Sequence, residues 1–508
     1  MSILGAIACG HPQTAAAAEE ILLDGGNAFD AIIAAQLMAC VTEPVLASLG
    51  GGGFLLAQAQ GTAPRIYDFF PQTPLRRAAD QELYPIEANF GTATQTFHIG
   101  LGSAAVPGSV AGIFAVHEAL ATLPLARLAE PAVNAARNGI IINDFQGYIF
   151  DIVRPIYQAN ATTARAYASA VTGARLHQSD LASSLGAIAR DGAASFYTGE
   201  IAAEIGKTSR LHGGHLTRED LANYAVVVRE PFEFDYRGAR VLTNPPPSAG
   251  GVLIALTLKL LEALDLSEVV PGSAEHLEIL CNAMSLTSAA RTDNVSGFNE
   301  LVRTYQEKIV TAAQFSRGTT HISVIDDKGN SAAMTLSNGE GCGHLVAGTG
   351  IMLNNMLGEA DINPDGVGNW PVDVRLGSMM APTLIEHGAT HYALGSGGSN
   401  RIRSAISQVI SQLLDFAQAP AAAVNFPRAH LEAELLSVEA GFDTTIAMAA
   451  HRDVRGRTDV RGRTNVRLQE WDSLNLFFGG VHLAALRDGV FEAAGDPRRG
   501  GCGTLVSR

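Results

Sequence analysis

Residues 318–337 read GTTHISVIDDKGNSAAMTLS and predict a β-hairpin. From Thr319 to Asp326, side chains alternate with a period of two, which is the period of a strand. The segment DDKGN at 326–330 combines Asp, Gly and Asn, the residues that turns favour. The chain then returns through a second run that ends at Ser337. We therefore expect two antiparallel strands joined by this turn.

Thr319 stands at the start of the first strand, after Gly318 and a polar, irregular stretch (292–318) that predicts an exposed connector. If the chain were cut before Thr319, the new N-terminal residue would carry both a hydroxyl and a free α-amino group. The pKa of an α-amino group is about 7.7–8.0, so it is a base close to the hydroxyl that it must activate. The alternative is an ordinary strand threonine, and the hairpin alone favours that alternative.

The composition excludes several classes of protein. Of the 508 residues, 47% are hydrophobic and only 17% are charged, and the net charge is −15. Typical soluble domains carry roughly 25% charged residues. These values indicate a large globular protein with a well-buried core, and the 53 glycines indicate many tight backbone sites. An acidic chain also lacks the basic surface that nucleic acid or an anionic membrane requires.

The N-terminus and the cysteines bear on location. The first residues, MSILGAIACGHPQTAAAAEEI, lack the basic start and long apolar core of a signal peptide. The apolar stretch 31–59 is interrupted by TEP at 42–44 and by four glycines, which argues against a transmembrane helix. The five cysteines are scattered without the spacing of a zinc site and are interpreted as reduced structural thiols. We therefore expect a cytoplasmic protein with no membrane span.

Motifs spread along the chain change the interpretation of Thr319. They are GGNAFDA (25–31), EP (43–44) with LGGGGF (49–54), VPGSVAG (106–112), FYTG (196–199), LTREDL (216–221), NPPPSAGG (244–251), TTHISVID (319–326), GIMLNN (350–355), GSGG (395–398) and GDPR (495–498). In this order they resemble the γ-glutamyltransferase (γ-glutamyl transpeptidase) family of N-terminal-nucleophile hydrolases. The resemblance covers roughly residues 5–500.

The resemblance implies a fold and a reaction. The fold is of the α+β class, a four-layer αββα sandwich with two central sheets between helix layers. The precursor cuts itself between Gly318 and Thr319 into a large chain, 1–318, and a small chain, 319–508, which stay associated as one domain. Thr319 then attacks γ-glutamyl amides such as glutathione and forms an acyl-enzyme. Water or an amino-acid acceptor takes the acyl group, and neither a metal nor a cofactor is needed.

The same resemblance assigns site residues one by one. Thr319 is the nucleophile, and Ser337 matches a hydroxyl beside it. Gly397 and Gly398 match paired glycines whose backbone N–H groups stabilise the oxyanion. The residues matched to substrate binding are Asn338, whose position differs slightly from the family's asparagine, Glu359, where the family has a shorter acid, and Ser378, one of a usual pair.

Two further positions depart from the family pattern more strongly, and both concern substrate recognition. In YDFFPQT (67–73), Phe70 stands where the family has an arginine for the α-carboxylate of the glutamyl group. Met356 replaces a polar or acidic residue that binds its α-amino group. Losing such a buried charge pair costs about 2–5 kcal/mol. Either Arg375, Arg401 or Arg403 supplies the missing cation, or the acyl group differs and an apolar pocket at Phe70 and Met356 accepts it.

Three alternatives to a γ-glutamyl enzyme stay open. The first is an amidase or acylase of the same fold that acts on another amide. The second is a homologue that is never cut and has no catalytic role. A third, a dinucleotide site at Gly50–Gly53, is weaker, because that motif opens a helix whereas the sequence from Phe54 onward predicts a strand. The tandem repeat DVRGRT at 453–464 predicts a lengthened surface loop.

Overall fold

The computed structural model describes residues 2–89, 94–290, 318–359, 362–363, 366–445 and 466–508. The predicted repeat loop at 453–464 and almost all of the predicted connector at 292–318 lie outside these residues. The helices are α1 (Pro12–Leu23), α2 (Ala28–Thr42), α3 (Ser109–Leu120), α4 (Leu125–Asn138), α5 (Asp144–Gln158), α6 (Ala161–Ala166), α7 (Ser179–Asp191), α8 (Ala194–Tyr197), α9 (Glu200–Leu211), α10 (Arg218–Ala222), α11 (Gly250–Glu262), α12 (Ala274–Ala290), α13 (Arg401–Leu414) and α14 (Pro420–Asn425).

Strands occur along the whole described chain. They are β1 (Ile3–Cys9), β2 (Gly52–Gln58), β3 (Arg65–Phe69), β4 (Tyr84–Asn89), β5 (Thr94–Ile99), β6 (Ile140–Ile141), β7 (Arg175–Leu176), β8 (Val227–Arg229), β9 (Phe232–Tyr236), β10 (Ala239–Thr243), β11 (Thr319–Asp326), β12 (Ser331–Ser337), β13 (Thr383–His387), β14 (Thr390–Gly397), β15 (Ala429–Glu432), β16 (Leu435–Glu439), β17 (Arg467–Trp471), β18 (Gly480–Arg487), β19 (Val490–Ala494) and β20 (Cys502–Ser507). Short 3-10 turns lie at Leu101–Ser103, Met356–Gly358, Leu476–Phe478 and Pro497–Arg499.

The predicted hairpin is confirmed by the pairing of β11 with β12. The two strands are antiparallel, and their register places Thr319 directly opposite Ser337. The turn at Asp326 is closed by its own carboxylate, which accepts from the backbone N–H groups of Lys328 and Asn330 at 3.0 and 2.9 Å. Both strands are buried along their whole length. The hairpin is therefore a central element of the core.

Two antiparallel sheets lie between two layers of helices. The first sheet has the order β20-β1-β11-β12-β2-β3-β8, and the second has the order β19-β18-β14-β13-β10-β9. The sheets face each other where β11 and β12 pack against β14. Helices α1 and α2 cover the outer face of the first sheet, and α11 and α13 cover that of the second. This arrangement is the four-layer αββα sandwich expected from the sequence.

Both sheets mix strands from before and after Thr319. In the first sheet, β1, β2, β3 and β8 precede it, whereas β11, β12 and β20 follow it. In the second, β9 and β10 precede it and the others follow. The chain is continuous from Gly318 to Thr319 in this structure. The predicted division into 1–318 and 319–508 would therefore leave each sheet built from two chains.

The scarcity of charge and the excess of glycine both follow from this layering. Helix α2 is buried along its whole length, so it has no solvent-facing side that needs charged residues. The glycines at 50–53 lie where backbones come very close. A Cβ at Gly51 would lie 2.4 Å from the carbonyl oxygen of Ser337, and one at Gly53 would lie 2.4 Å from that of Thr335. Since Gly52 begins β2, this run enters a strand and does not open a helix.

All five cysteines carry free thiols. Cys9 on β1 faces Cys502 on β20, with 3.9 Å between their sulfur atoms. Across the described ranges, no helix combines the length and hydropathy needed to cross a membrane.

Candidate active site

The two hydroxyls at the end of the hairpin lie next to the bond before Thr319. Thr319 Oγ1 donates to Ser337 Oγ across 3.4 Å. Ser337 Oγ in turn donates to the carbonyl oxygen of Gly318 at 2.5 Å and accepts from the N–H of Gly339 at 3.1 Å. Both side chains are 6% exposed. Ser337 thus polarises the carbonyl group that a Thr319 hydroxyl would attack.

The second sheet supplies the glycine pair. Gly397 is the last residue of β14, and a Cβ there would lie 2.1 Å from the carbonyl oxygen of Thr319. Gly398 has φ of +123°, where L side chains are strained, and a Cβ there would lie 2.9 Å from the Cα of Gly479. A side chain at Gly397 would push the two sheets apart at Thr319, and one at Gly398 would clash with the backbone of Gly479. The geometry brings the pair to the nucleophile, and the oxyanion role of its N–H groups stays a prediction.

A buried arginine that the sequence analysis did not single out holds Thr319 from the other side. Arg499 Nη1 donates to the carbonyl oxygen of Thr319 at 3.0 Å, and its side chain packs on Gly480. Burial lowers the pKa of Arg499 to about 10, and the carboxylates of Asp496, Glu43 and Glu340 oppose that effect. The guanidinium therefore keeps its positive charge at neutral pH.

Two buried acids complete the surroundings of the hairpin end. Glu340 Oε1 accepts from the N–H of Gly318 at 3.0 Å. Glu43 Oε2 accepts from Thr320 Oγ1 at 2.7 Å. Burial raises the pKa of Glu43 to about 7, although hydrogen bonds from Thr320 and Thr14 and the charge of Arg499 oppose that effect. In the sequence, Glu43 lies in an apolar stretch and Glu340 lies among glycines, and an acid in such a context is the signal that could have identified both.

His321 is structural rather than a base for Thr319. Its ring nitrogens lie 2.8 Å from Thr335 Oγ1 and 2.9 Å from Ser323 Oγ. Burial, together with the neighbouring His482, holds the pKa of His321 well below its usual range. Neutral His321 thus ties β11 to β12.

Two of the residues predicted to bind substrate surround the loop after β12. Asn338 is fully buried, and within the described part of the chain its side-chain amide has no hydrogen-bond partner. Glu359 is 8% exposed, and its Oε1 would lie 2.3 Å from a Cβ built at Gly339. Asn355 Oδ1 accepts from the N–H of Glu340 at 2.9 Å, which fixes that loop. Asn338 and Glu359 therefore both lie beside Gly339, which stands between Ser337 and Glu340 in the chain.

Ser378 has a structural environment of its own. Its Oγ accepts from the N–H of Met380 at 3.0 Å, and its carbonyl oxygen accepts from the N–H of Ala249 at 2.9 Å, next to the start of α11. Its role in substrate binding stays a prediction.

Phe70 and Met356 belong to the same apolar core cluster. Phe70 is 2% exposed and stacks on Phe54, with ring centroids 5.2 Å apart. Met356 is 1% exposed and begins the turn Met356–Gly358. Both side chains thus contribute to the core of the uncut chain.

The three arginines considered as replacements for the missing cation have structural contacts. Arg375 donates through Nη1 to Asp68 Oδ1 at 3.2 Å and to the carbonyl oxygen of Phe70 at 2.8 Å. Arg401 Nε donates to the carbonyl oxygen of Phe477 at 3.1 Å, and Arg403 donates to Ser288 Oγ at 3.0 Å. Arg375 in particular holds the backbone at Phe70 in place.

Comparison with known proteins identifies the family. The family model described as gamma-glutamyltranspeptidase matches residues 14–308 and 296–506. The chain belongs to the γ-glutamyltranspeptidase family. It is 31% identical over 471 residues to a glutathione hydrolase proenzyme of Escherichia coli, covering 83% of this chain and 80% of that one. It is also 29% identical over 489 residues to an acylase ACY 1 proenzyme of a Pseudomonas species, covering 89% and 87%.

Solved structures support the fold. The cephalosporin acylase of Bacillus halodurans superposes with a TM-score of 0.82 at 24% identity, over 99% of this chain and 96% of that one. At this identity the likeness bears on the fold alone. The γ-glutamyltranspeptidase family thus includes both glutathione hydrolases and acylases among the relatives of this chain, so family membership leaves the acyl group open.

Proposed function

We propose that the chain cuts itself between Gly318 and Thr319 and then acts as an N-terminal-threonine amide hydrolase. The observation that carries this proposal is the hydrogen bond of 2.5 Å from Ser337 Oγ to the carbonyl oxygen of Gly318, next to the Thr319 hydroxyl. A polarised carbonyl and an adjacent nucleophile are the two requirements of acyl transfer.

Self-cleavage proceeds through an ester. Thr319 Oγ1 attacks the carbonyl carbon of Gly318, the C–N bond breaks, and the proton of the Thr319 hydroxyl passes to the freed nitrogen, which becomes the α-amino group of Thr319. Water then hydrolyses the Gly318–Oγ1 ester and leaves a carboxylate on Gly318. Ser337 donates to the carbonyl oxygen throughout, and Arg499 holds the Thr319 carbonyl oxygen at 3.0 Å.

Substrate turnover repeats this chemistry on an external amide. The new α-amino group accepts the Thr319 hydroxyl proton, because its pKa of about 7.7–8.0 leaves a fraction of it as the free base near neutral pH. The acyl group moves to Oγ1, and the amine leaves with the proton. Water, or an amino-acid acceptor, then takes the acyl group and restores the free threonine.

A γ-glutamyl amide is the first candidate substrate, and the E. coli glutathione hydrolase relative supports it. One specific observation favours the acylase alternative. Phe70 and Met356 both lie within the apolar core, and they occupy the two positions at which the family binds the charged groups of the glutamyl substrate. A neutral acyl group would need no charged residue at either position.

Trapping the acyl-enzyme tests the proposal. Processed protein is mixed with γ-glutamyl-p-nitroanilide, quenched in acid, and the small chain is analysed by intact mass and peptide mapping. We expect released nitroaniline and a γ-glutamyl group on Thr319. Fully cut protein that releases no nitroaniline, but is acylated at Thr319 by butyryl-p-nitroanilide, would favour the acylase. Fully cut protein acylated by neither donor would contradict the proposed reaction.

A further inference from the structure

We propose that Glu340 and Arg499 bind the charged head of the acyl donor, an α-amino acid group whose ammonium meets Glu340 and whose carboxylate meets Arg499. This inference rests on the proposed function, because it concerns the acyl site of the same nucleophile. It assigns the role of the missing family arginine to a residue that comes from a different part of the chain.

A small cleft of about 20 Å³ borders the bond that is to be cut. Gly318, Glu340 and Arg499 line it, and the rest of its wall is aliphatic and aromatic. The apolar side chains come from the segment after α2, from α5 and from the turn Leu476–Phe478, and include Val45 and Ile149. One acid and one base therefore face an otherwise apolar cleft beside the nucleophile.

The uncut chain shows where the acyl group of a substrate lies. In self-cleavage, Gly318 is the acyl group esterified to Thr319 Oγ1, and in turnover the substrate acyl group takes the same bond. The groups that contact Gly318 now are thus the groups that face the acyl donor later. Glu340 accepts from the N–H of Gly318 at 3.0 Å, so this carboxylate loses a donor when Gly318 leaves.

The distances suit an amino group on the acyl donor. The nitrogen of Gly318 lies about 2.5 Å from its own carbonyl carbon by standard bond lengths. Glu340 Oε1 is 3.0 Å beyond that nitrogen. In an extended γ-glutamyl group, the α-nitrogen lies about 5 Å from the acyl carbon by the same bond lengths. The ammonium can therefore reach Glu340 at the usual charge-assisted distance of about 2.8 Å while the acyl carbon stays bonded to Thr319.

Arg499 supplies the complementary charge. Its Nη1 lies 3.0 Å from the carbonyl oxygen of Thr319, and the nearby charge of Glu340 partly offsets the lowering of the Arg499 pKa by burial. The side chain is 3% exposed and packs on glycines, which leaves it few ways to move. A guanidinium presents two parallel N–H groups to a carboxylate. Arg375 donates to Asp68 and to the backbone at Phe70.

Four p-nitroanilides that differ only in the head group test the inference on processed protein. The γ-glutamyl compound carries both charges, the glutaryl compound the carboxylate, the 4-aminobutyryl compound the ammonium, and the butyryl compound neither. We expect kcat/KM of the wild type to be highest for γ-glutamyl. Arg499→Met should lower γ-glutamyl and glutaryl turnover at least about 30-fold more than butyryl turnover. Glu340→Gln should do the same for γ-glutamyl and 4-aminobutyryl.

Three outcomes would overturn the inference. Cut wild-type protein that turns over butyryl and γ-glutamyl anilides equally well has no head-group site, although the proposed reaction would stand. Variants that lose activity equally on all four donors point to a purely structural pair. If Glu340→Gln stays uncut, the variants Glu340→Asp and Arg499→Lys are used instead, because they keep the charges but move them. If these two variants change KM equally for the γ-glutamyl and butyryl donors, the assignment is refuted. Wild-type protein that is never cut refutes the proposed function instead.

Discussion

Substituting Gly397 tests the close contact between the second sheet and the nucleophile. In Gly397→Ala, the new Cβ would lie 2.1 Å from the carbonyl oxygen of Thr319 and 3.0 Å from Arg499 Nη1. Carbon–oxygen contacts normally stay at about 3.3 Å or more. Strands β11 and β14 must therefore separate by about 1 Å at the bond to be cut.

The size of the effect follows from that displacement. A 1 Å misplacement of reacting groups can cost about 100-fold in rate, and overpacking a core costs about 1–3 kcal/mol. We expect Gly397→Ala to slow self-cleavage at least about 100-fold. In the uncut Thr319→Ala background, it should lower the free energy of unfolding by about 1–3 kcal/mol.

Two assays and a matched control measure this. Self-cleavage is followed on denaturing gels after synthesis in a cell-free system, and stability is measured by urea unfolding. The control is Gly186→Ala in α7, where a Cβ would meet no atom within 4 Å. That change should leave cleavage unaltered and stabilise the helix by about 0.5–1 kcal/mol. If Gly397→Ala were cut at the wild-type rate with unchanged stability, β14 would not lie against Thr319 as described.

Three further predictions concern neighbouring residues. Ser337→Ala should slow self-cleavage by about 100- to 1,000-fold, because a donor to the reacting carbonyl is lost, whereas Ser337→Thr should be cut on the same gels. Because burial raises the pKa of Glu43 to about 7, the folded chain binds that proton more tightly than an unfolded chain does. The stabilisation is complete below about pH 4 and declines by about 3 kcal/mol as the pH rises through about 7. Urea unfolding of the Thr319→Ala precursor should show this decline, and Glu43→Gln should remove it; a decline of the same size in that variant would assign it to another group. Phe70→Arg should lower the free energy of unfolding by more than about 3 kcal/mol in the same background, since it buries an unpaired charge, while Phe70→Leu should cost less; unimpaired stability of Phe70→Arg would show that position 70 has access to a polar pocket.

The local elements could be predicted because their signals are local. Alternation and a turn motif predicted the hairpin at 319–337. The glycine run at 50–53 was recognised as the entry to a strand, although its reason is not local. Gly50, Gly51 and Gly53 each face a carbonyl oxygen that comes from more than 280 positions later in the chain, those of Met352, Ser337 and Thr335.

The contacts across the sheets could not be predicted in the same way. Arg499 reaches Thr319 from 180 residues away, and nothing in its own neighbourhood distinguishes it from Arg498, which binds Glu439 instead. Glu340 is close to Ser337 in sequence, but its contact with Gly318 depends on the turn that the loop after β12 makes. Phe70 marked a departure from the family pattern, yet only its stacking on Phe54 showed it to be part of the core.

The cut itself is the most direct test of the account. Purified protein is run on a denaturing gel and the smaller band is subjected to N-terminal sequencing, with Thr319→Ala as the control. We expect two chains, the smaller beginning TTHIS at Thr319, and a single uncut chain for the control. A wild-type protein that stays in one piece, or a small chain that begins at any other residue, would contradict the assignment of Thr319 as the nucleophile.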